Sequence, residues 1–535
     1  MRIYRTVLSV LLFGAACMNG RSEEPHRGMR DFDFIKESNP WLTSVNAAGL
    51  GTLQTDRTSV AGISSVKEDG GLAGIEKSGD SFLVSAMTES FVKISDRITF
   101  YGKLSWEYFT GKNMGGPVLM DPSYNPVNFY ESTLETVGNK NKELYGLSGG
   151  ISYALNSKWS LGAKIDYEAG NYAKRKDPRF RSIWLDLDVS AGVKFSPSEN
   201  FSVGLSAEYE RTLETLSGST YGTTDKQYFI LVDYGGFYGR YQYFDGDKGY
   251  VPASTASDRP MFNAFYGVSL QIQAGKTIKA FNELRYLNRS GYYGKRASSS
   301  VLFCEFGGNV VQYGLVLDIP SGEDIHRVRL DASYEGLKNE ENNYRYNTTV
   351  GENTVIEYFG SREVLSRTDL SGGIAYTGWL GTGGLRPEWE FGASAGANSR
   401  RSEATVYPYF RRSNVATFSS RLHGKKNFIV GNNIFTVGAE ASFAAGFGTA
   451  KDDGILASST SDAPVSGDIY LNRDFEYKTI SQAGGTLNFR YTRLIKGRAA
   501  LYADIRDSYA AALKKPDFLP GNYRNSLIVT IGCTF

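Results

Sequence analysis

Cysteine is scarce in this 535-residue sequence, which contains only Cys17, Cys304 and Cys533. Three cysteines cannot form the disulfide framework that holds small secreted domains together. Cys304 and Cys533 lie in strand-like runs, so we expect both thiols to be reduced and packed against neighbouring side chains. The sequence therefore excludes a disulfide-stabilised scaffold but leaves export open.

Histidine is equally scarce, with three residues in the chain. If the strand-like runs close into a membrane barrel, His326 and His423 lie at its short turns, on the periplasmic rim, and His26 lies in the N-terminal segment. A barrel hydrolase needs a histidine beside a serine or aspartate at the outer end or lipid face. The sequence also lacks a glycine-rich nucleotide loop and the spacing of a metal site. We therefore expect no catalytic residues, no metal, no cofactor and no enzyme activity.

Neither sign of charge dominates, and no long apolar run follows residue 16. The 59 basic and 57 acidic residues leave a net charge of +2, so a nucleic-acid partner is not expected. Mean hydropathy is −0.32, an ordinary value for a soluble protein. A membrane barrel has the same profile, because half of each strand faces a polar lumen. Membrane-spanning helices are thus excluded. The periodicity of the strand-like segments must decide whether the chain forms a membrane barrel.

The first residues have the pattern of a signal peptide. Arg2 and Arg5 precede the apolar run 7–16, which at about ten residues is too short to span a bilayer as a helix. Gly14-Ala15-Ala16 supplies small residues for cleavage before Cys17. We assign residues 1–16 to a signal peptide for export. Lipidation of Cys17 is the alternative, although Gly14 stands where a lipobox has an aliphatic residue.

Residues 17–56 have little strand pattern. They contain Asn39-Pro40-Trp41-Leu42 and Asn46-Ala47-Ala48-Gly49-Leu50 and are too short for a folded plug domain. We interpret them as a segment that lies in the periplasm or inserts into the lumen of a barrel. The candidate hatch residues are Asn39, Pro40, Trp41, Asn46 and Gly49.

Residues 57–535 consist of strand-like segments with a period of two. In 159–168, apolar residues from Trp159 to Tyr167 alternate with polar residues from Ser160 to Glu168. The apolar faces begin or end in aromatic residues, as at a membrane interface. Each segment spans about ten residues, the length that a tilted strand needs to cross a bilayer. Strands of a soluble sandwich are more often about 5–6 residues long.

Short turns rich in Gly, Asn, Asp, Ser and Pro alternate with long polar links. The long links are 110–142, 212–261, 337–363 and 445–478. This asymmetry is typical of transmembrane barrels with short periplasmic turns and long extracellular loops. With 57–67 as first strand and 526–535 as closing strand, the sequence predicts an all-β, transmembrane antiparallel β-barrel of about 18 strands, within roughly 14 to 18, in residues 57–535.

Three stretches carry a family resemblance. They are Lys164 to Arg179 leading into Leu185-Asp186-Leu187, Asn39 to Leu50, and Phe100 to Trp106. They resemble an uncharacterised family of outer-membrane β-barrel proteins from Bacteroidota-type bacteria. The resemblance covers nearly the whole mature chain and implies the fold and the outer membrane, but no activity.

A looser likeness is to barrels of the long-chain fatty-acid-transporter type, whose N-terminal hatch has an Asn-Pro-Ala-Gly-Leu-like stretch. In this chain the proline is displaced to Pro40 and the second alanine to Ala48.

Two sets of charged residues are candidate functional sites. A cluster at the end of one strand could hold the anionic headgroup of outer-membrane lipid or lipopolysaccharide, and its residues are Lys174, Arg175, Lys176 and Arg179. The alternative is a solvated loop whose cations pair with Asp177 and nearby acids. A second set falls on the polar faces of strands, and its residues are Lys164, Asp166, Glu168, Asp186, Asp188, Glu208, Glu210, Arg327, Arg329, Asp331, Asp504 and Arg506. These lumen charges could line a channel or form ion pairs that block it.

The sequence therefore favours a pore or transporter for small solutes, restricted by loops or by the N-terminal hatch. The alternative is a structural or assembly partner of another cell-envelope protein, bound through outer loops or the N-terminal segment. Conductance distinguishes the two hypotheses, because only a pore carries current across a bilayer.

Overall fold

The computed structural model describes residues 30–221, 228–243, 251, 259–297, 300–347, 355–383, 385–495 and 499–535. The signal peptide predicted for residues 1–16 lies outside the described residues, as do His26 and Cys17, so the signal peptide and the lipidation alternative stay predictions. No helix in the described ranges is both long enough and apolar enough to cross a membrane.

The described residues form 22 strands. In chain order they are β1 (Arg57–Asp69), β2 (Asp80–Ser95), β3 (Ile98–Met114), β4 (Asn128–Glu131), β5 (Gly138–Ala154), β6 (Trp159–Lys174), β7 (Arg179–Ser198), β8 (Phe201–Ser219), β9 (Phe229–Asp233), β10 (Tyr238–Tyr243), β11 (Pro260–Ala274), β12 (Lys279–Ala297), β13 (Ser300–Ser321), β14 (Asp324–Asn347), β15 (Val355–Leu380), β16 (Trp389–Val406), β17 (Tyr409–Val430), β18 (Asn433–Ile455), β19 (Val465–Ser466), β20 (Gln482–Ile495), β21 (Ala499–Ala512) and β22 (Tyr523–Thr534). The helices are α1 (Phe32–Glu37), α2 (Pro40–Thr43) and α3 (Asp468–Thr479), with 3-10 turns η1 (Ala47–Thr52) and η2 (Leu134–Thr136).

Eighteen of these strands pair antiparallel in one closed barrel, which confirms the predicted fold class. Each barrel strand pairs with the next barrel strand along the chain. Closure comes from β22, which pairs with β1 from Val60 opposite Thr534 to Asp69 opposite Asn525. Closure removes the unpaired edges that an open sheet would present.

The two faces of the barrel follow the period-two pattern. On β6, β7 and β8 the even-numbered residues face the lumen, since Gly162, Gly192 and Gly204 stand directly against residues 41–48. The odd-numbered residues face outward, and the apolar side chains of Leu161 and Leu205 are 44% and 54% exposed there. The outer surface is therefore apolar, and the lumen wall is polar.

The two ends of the barrel differ. Short links such as β2–β3, β5–β6 and β13–β14 lie at one end, which we call the turn end. The longer links β3–β5, β8–β11 and β18–β20 lie at the other, which we call the loop end. The predicted long loop 337–363 is wrong, because β14 continues to Asn347 and β15 begins at Val355. These strands extend the wall at the loop end.

The prediction that His423 lies at a short turn is also wrong. β17 runs without a break to Val430, and the turn to β18 uses Gly431, which has the positive φ that glycine tolerates. His423 consequently lies within a strand, opposite Gly392, and not at the rim. Its Nε2 atom is 3.7 Å from Oε1 of Glu390 on the lumen face.

The loop end of the lumen holds a second, four-stranded sheet in the order β19-β10-β9-β4. Its side chains pack inward against the barrel wall in one apolar cluster that includes Phe129, Val232, Phe303, Val364 and Leu337. The largest apolar core among the described residues thus lies inside the loop end of the barrel. It is formed by the wall and by strands of the long links β3–β5, β8–β11 and β18–β20, which fold into the lumen. A smaller core at the turn end contains Phe32, Leu50 and Phe91.

Candidate functional site

Three short helical elements of residues 30–56 lie inside the turn end of the barrel. Each begins at a polar cap: Asp31 accepts hydrogen bonds from the amides of Asp33 and Phe34, and Asn39 accepts from the amide of Trp41. Asn46 caps η1 in the same way. Such caps satisfy the amides that the first turn of a helix leaves unpaired. We call residues 30–56 the hatch segment.

Asn46 joins the hatch segment to the wall. Its Nδ2 donates to the carbonyl oxygen of Val193 at 3.1 Å and to Oε1 of Gln271 at 2.9 Å. Its Oδ1 accepts from the amide of Ala48 at 3.1 Å, and the carbonyl of Ala48 accepts from the hydroxyl of Ser152 at 3.0 Å. Asn46 is completely buried, so these bonds use its amide where water does not reach it.

Trp41 anchors the same segment. Its indole N–H donates to Oε1 of Gln273 at 2.5 Å, and its ring packs edge-on against Phe281. The ammonium of Lys194 lies 4.9 Å from the ring centroid, within the range of a cation–π contact. Gly49 packs on the tryptophan, and a Cβ atom there would lie 2.6 Å from Cε3 of Trp41. The structure thus brings the five candidate hatch residues together in one segment.

Ion pairs fix the hatch segment on other sides of the barrel. Arg386 contacts Asp31 at 3.2 Å, and Lys36 contacts Glu89 at 2.7 Å. Burial would raise the pKa of Asp31, but Arg386 and Lys425 outweigh that effect and hold its pKa below the usual value. Asp31 therefore stays ionised at neutral pH.

Arg327 binds the segment from β14. Its guanidinium donates to the carbonyls of Glu37 and Ser38, with the second bond at 2.9 Å, and pairs with Asp318 at 2.6 Å. The hatch segment thus contacts the wall from β2 around to β14 and spans the lumen.

The inner sheet and α3 occupy the loop end. The hydroxyl of Tyr470 on α3 donates to the carbonyl of Glu131 at 2.7 Å. Arg411 pairs with Asp453 at 2.6 Å and donates to the carbonyl of Gly236 at 3.2 Å, which joins the wall to the β9–β10 turn. We call β4, β9, β10, β19 and α3 the inner cap.

The predicted lipid contact at residues 174–179 needs correction. Lys174 occupies the lumen face of β6, its side chain is 1% exposed, and it pairs with Glu131 of the inner cap. It is not available to a lipid headgroup. Lys176 donates to the carbonyl of Glu135 at 2.9 Å, and Arg179 pairs with Asp177 at 2.9 Å. Arg175 is exposed at the surface.

A polar chamber lies between the hatch segment and the inner cap. It consists of three adjoining cavities of about 530, 460 and 450 Å³. The cavity at the loop end shares Ser333, Ser371 and Asn398 with the cavity above the hatch segment. That cavity in turn shares Asp331 and Gly373 with the third. Small side chains of Ser, Gly, Ala and Asn are frequent in the lining, together with charged residues such as Arg285, Arg329 and Asp369.

The predicted lumen charges all lie on inward-facing positions of β6, β7, β8, β14 and β21. Several are paired: Lys164 with Asp166 at 2.8 Å, and Arg329 with Asp331 at 2.8 Å. Glu208 pairs with Arg285, which is 3.7 Å from Glu210. The arrangement is therefore a partly neutralised lining, not a single-sign field.

The remaining members of that set are distributed over two walls. Glu168, Asp186 and Asp188 lie near one another on β6 and β7, where Glu168 and Asp186 are opposite each other in the register. The carboxylate of Asp504 accepts a hydrogen bond from the side-chain amide of Asn488 at 2.9 Å. Arg506 of β21 lies opposite Asn488 of β20 in the register. The register places Asp188 opposite both Asp166 and Glu210, so the charges of β6, β7 and β8 form one continuous wall, whereas Asp504 and Arg506 lie on β21.

Sequence reasoning missed the charges that line the chamber from other strands. Arg285, Arg367, Asp369 and Arg400 face the lumen on β12, β15 and β16, and the period-two pattern would place them there once the strands are aligned. It also missed the inner cap, because β4 and β19 contain only four and two residues. Strands this short give no periodic signal.

Solved barrels with a similar fold share little sequence with this chain. The ferric preacinetobactin receptor BauA from Acinetobacter baumannii has 7% identity and a TM-score of 0.39, over 89% of this chain and 80% of the receptor. A Pseudomonas aeruginosa FadL homologue has 10% identity and a TM-score of 0.30, over 92% of each chain. The RagAB peptide importer has 8% identity and a TM-score of 0.34, over 90% of this chain and 75% of the importer.

No curated protein matches the sequence. A family profile does match, from Ala47 at the start of η1 through the last residue, Phe535. The match thus takes in the whole barrel, the inner cap and the end of the hatch segment. With residues 47–535 matched, the chain belongs to a family of unknown function, DUF6850.

Proposed function

We propose that the protein is an outer-membrane transporter for small polar solutes. The observation that carries this proposal is the polar chamber between two closures, the hatch segment and the inner cap. The hatch segment is held to the wall by hydrogen bonds and ion pairs, which water can replace when the segment moves, together with a small apolar cluster. The inner cap packs on the wall through the larger apolar cluster as well as through polar contacts.

The outer surface supports placement in a membrane. Apolar side chains such as Ile165, Val268, Leu370 and Ile531 are exposed around the barrel, where a soluble protein would expose few contiguous apolar groups. Lipid acyl chains are the partner that this surface fits. In that orientation the turn end faces the periplasm and the loop end faces outward. Arg175, at the loop end, can meet lipopolysaccharide, but the cluster offers fewer free cations than the sequence indicated.

The experiment is single-channel conductance of the refolded full chain in a planar bilayer. It is compared with deletion of residues 30–56 and with Asn46→Ala, which removes the bonds to Val193 and Gln271. The matched control is Asn309→Ala on β13. We expect low current from the full chain and from the control, larger current from Asn46→Ala, and the largest from the deletion.

Absence of current in all four proteins would overturn the transporter proposal. Stable co-purification of an envelope protein with the full chain would then favour the assembly-partner alternative. That alternative would use the loops at the outer end, since the hatch segment is engaged inside the barrel.

A further inference from the structure

The cavity of about 530 Å³ at the loop end lies between α3 and the wall strands β14 to β17. Its size falls within the range of roughly 300–1,000 Å³ that is common for small-molecule sites. α3 turns one face toward it, because Leu471, Asp474, Phe475 and Lys478 recur at helical spacing and all line the cavity. The inner cap thus forms the roof of this cavity.

The charged residues that line the cavity are mostly neutralised by each other. Asp369 pairs with Arg367 at 3.0 Å and with Arg400 at 2.5 Å. Lys478 pairs with Asp474 at 2.6 Å on α3 itself. An ionic solute would have to break these pairs, and it would find no uncompensated cluster of either sign to replace them.

Three other carboxyl groups line the cavity, Asp233, Glu76 and Glu335, and Glu335 pairs with Arg289 at 2.5 Å. Oδ1 of Asp233 accepts the amides of Gly235 and Tyr238, each at 2.9 Å. Burial raises the pKa of Asp233 to about 6, so its charge is already costly without a ligand. Glu76 is exposed at the rim of the cavity.

The neutral polar groups, by contrast, are free to bind. The side chains of Ser333, Ser371, Asn398 and Thr417 line the cavity and make no side-chain hydrogen bond with the described part of the chain. Asn128 is 8% exposed, and its Oδ1 has no hydrogen-bond partner among the described residues. Hydroxyl and amide groups both donate and accept, so they match a ligand that does the same.

Aromatic rings complete the lining. Phe475 lines the cavity from α3, and Phe237 and Tyr130 line it from the inner cap, with 5.0 Å between the centroids of the latter two rings. A pyranose ring has an apolar face of C–H groups and a rim of hydroxyls, so it fits a site that combines rings with amides and hydroxyls.

We infer that the loop-end cavity, roofed by α3 with Phe475 and walled by Asn398, Thr417 and Ser371, binds an uncharged, polyhydroxylated solute of oligosaccharide size. This inference rests on the proposed function and names its substrate class. Phe475 supplies the stacking surface, and Asn398 and Thr417 supply hydrogen bonds to hydroxyls. The cavity discriminates against ions because its charged residues already pair with each other, as Asp369 does with Arg367 and Arg400.

The test is isothermal titration calorimetry on the detergent-solubilised full chain. The probes are the neutral sugars maltotriose and raffinose, with trilysine as a cationic probe and the smaller citrate as an anionic one. Two variants remove binding groups without disturbing a bond: Asn398→Leu and Phe475→Ala. The control is Ser442→Val, which lies in the chamber but lines only a different cavity.

We expect at least one neutral sugar to bind the unmodified chain and the control equally. Each of the two variants should weaken binding at least tenfold, or about 1.4 kcal/mol. Circular dichroism of each variant verifies folding, and Asn398→Leu replaces an exposed side chain without a partner, so it should fold normally. Stronger binding of trilysine or citrate, no sugar binding by the unmodified chain, or equal binding by all variants would overturn the inference.

The sugar-binding experiment and the conductance experiment can fail independently of each other. A chain that conducts but binds no sugar retains the transporter proposal and loses the substrate class. A chain that binds sugar but never conducts, even without residues 30–56, loses the transporter proposal and retains the binding site.

Discussion

At the residue scale, glycines shape the wall where the hatch segment crosses it. A Cβ atom at Gly162 would overlap the backbone of Ala47 and Ala48, and one at Gly204 would lie 2.8 Å from Nδ2 of Asn46. Backbone atoms cannot turn aside as a flexible side chain can. The absence of a side chain at these positions is therefore a condition for docking of the hatch segment.

We expect Gly162→Val to displace the hatch segment and raise the single-channel conductance toward that of the deletion. The control is Gly149→Val on β5, which faces outward and where a Cβ atom would lie 3.7 Å from the nearest side chain. Equal conductance of Gly162→Val and Gly149→Val would contradict this role of Gly162.

A second residue-scale prediction concerns the buried pair of Lys174 and Glu131. Both side chains are 1% exposed, so Glu131→Gln would leave an uncompensated ammonium in the interior. Loss of one partner of a buried pair costs about 3–5 kcal/mol. We expect faster hydrogen exchange of residues 128–136 in Glu131→Gln.

The control for that prediction is Asp331→Asn, whose pair with Arg329 is about half exposed. Exposed pairs contribute roughly 0–1 kcal/mol, so this change should leave exchange in the inner cap unaltered. Unchanged exchange in Glu131→Gln would show that Lys174 finds another partner.

At the element scale, the β9–β10 turn is held by Asp233, which accepts two backbone amides across it. Burial raises the pKa of this carboxyl from 3.8 to about 6. The folded state therefore binds a proton more tightly than the unfolded state, and stability falls as pH rises from about 4 to about 6. Above about pH 6 this contribution to the free energy of unfolding is completely lost, and its magnitude is about 3 kcal/mol.

We expect hydrogen exchange of residues 228–243 to accelerate, beyond its intrinsic pH dependence, between pH 4 and 6 in the unmodified chain. Asp233→Asn keeps the acceptor and removes the titration, so this acceleration should disappear. Asp462→Asn, an exposed change in the β18–β20 link, serves as control. A pH response that survives in Asp233→Asn would assign it to another group.

The elements also show where local pattern misleads. Residues 337–363 are rich in Asn, Glu and Tyr and predict a loop, yet 337–347 and 355–363 belong to β14 and β15, which pair as far as Asn347 opposite Val355. Above a membrane both faces of a strand can be polar, so alternation is lost while the backbone pairing continues. Pairing to a neighbour, not side-chain pattern, extends these strands.

At the scale of the whole molecule, the apolar outer surface predicts a lipid-facing band. Ile165 on β6 faces outward and is 44% exposed. An arginine at the bilayer midplane on a lipid-facing position costs about 2–4 kcal/mol. We expect Ile165→Arg to lower the free energy of unfolding in urea by that amount in phospholipid vesicles.

Ser419→Arg, on the lumen face of β17 beside the chamber, is the matched control and should change stability little. Equal effects of the two arginines would indicate that the outer surface is not in contact with lipid. The comparison therefore tests membrane placement separately from conductance.

The sequence by itself determined the barrel and the direction of its side chains. Alternation with a period of two is local, so the polar positions of β6, β7, β8, β14 and β21 could be assigned to the lumen residue by residue. The stretches Asn39 to Leu42 and Asn46 to Leu50 likewise marked the hatch segment in the sequence, and in the structure their first residues cap α2 and η1.

Only the tertiary structure decided what those side chains meet. The sequence predicts a surface cation at Lys174, but in the structure this residue is buried beside Glu131, which lies more than forty residues away in the chain. The sequence places Arg327 among the lumen charges, whereas in the structure it binds the carbonyls of Glu37 and Ser38. The cavity under α3 is formed by segments from every third of the chain. Closure brings distant segments together in space, and no local pattern encodes which of them will touch.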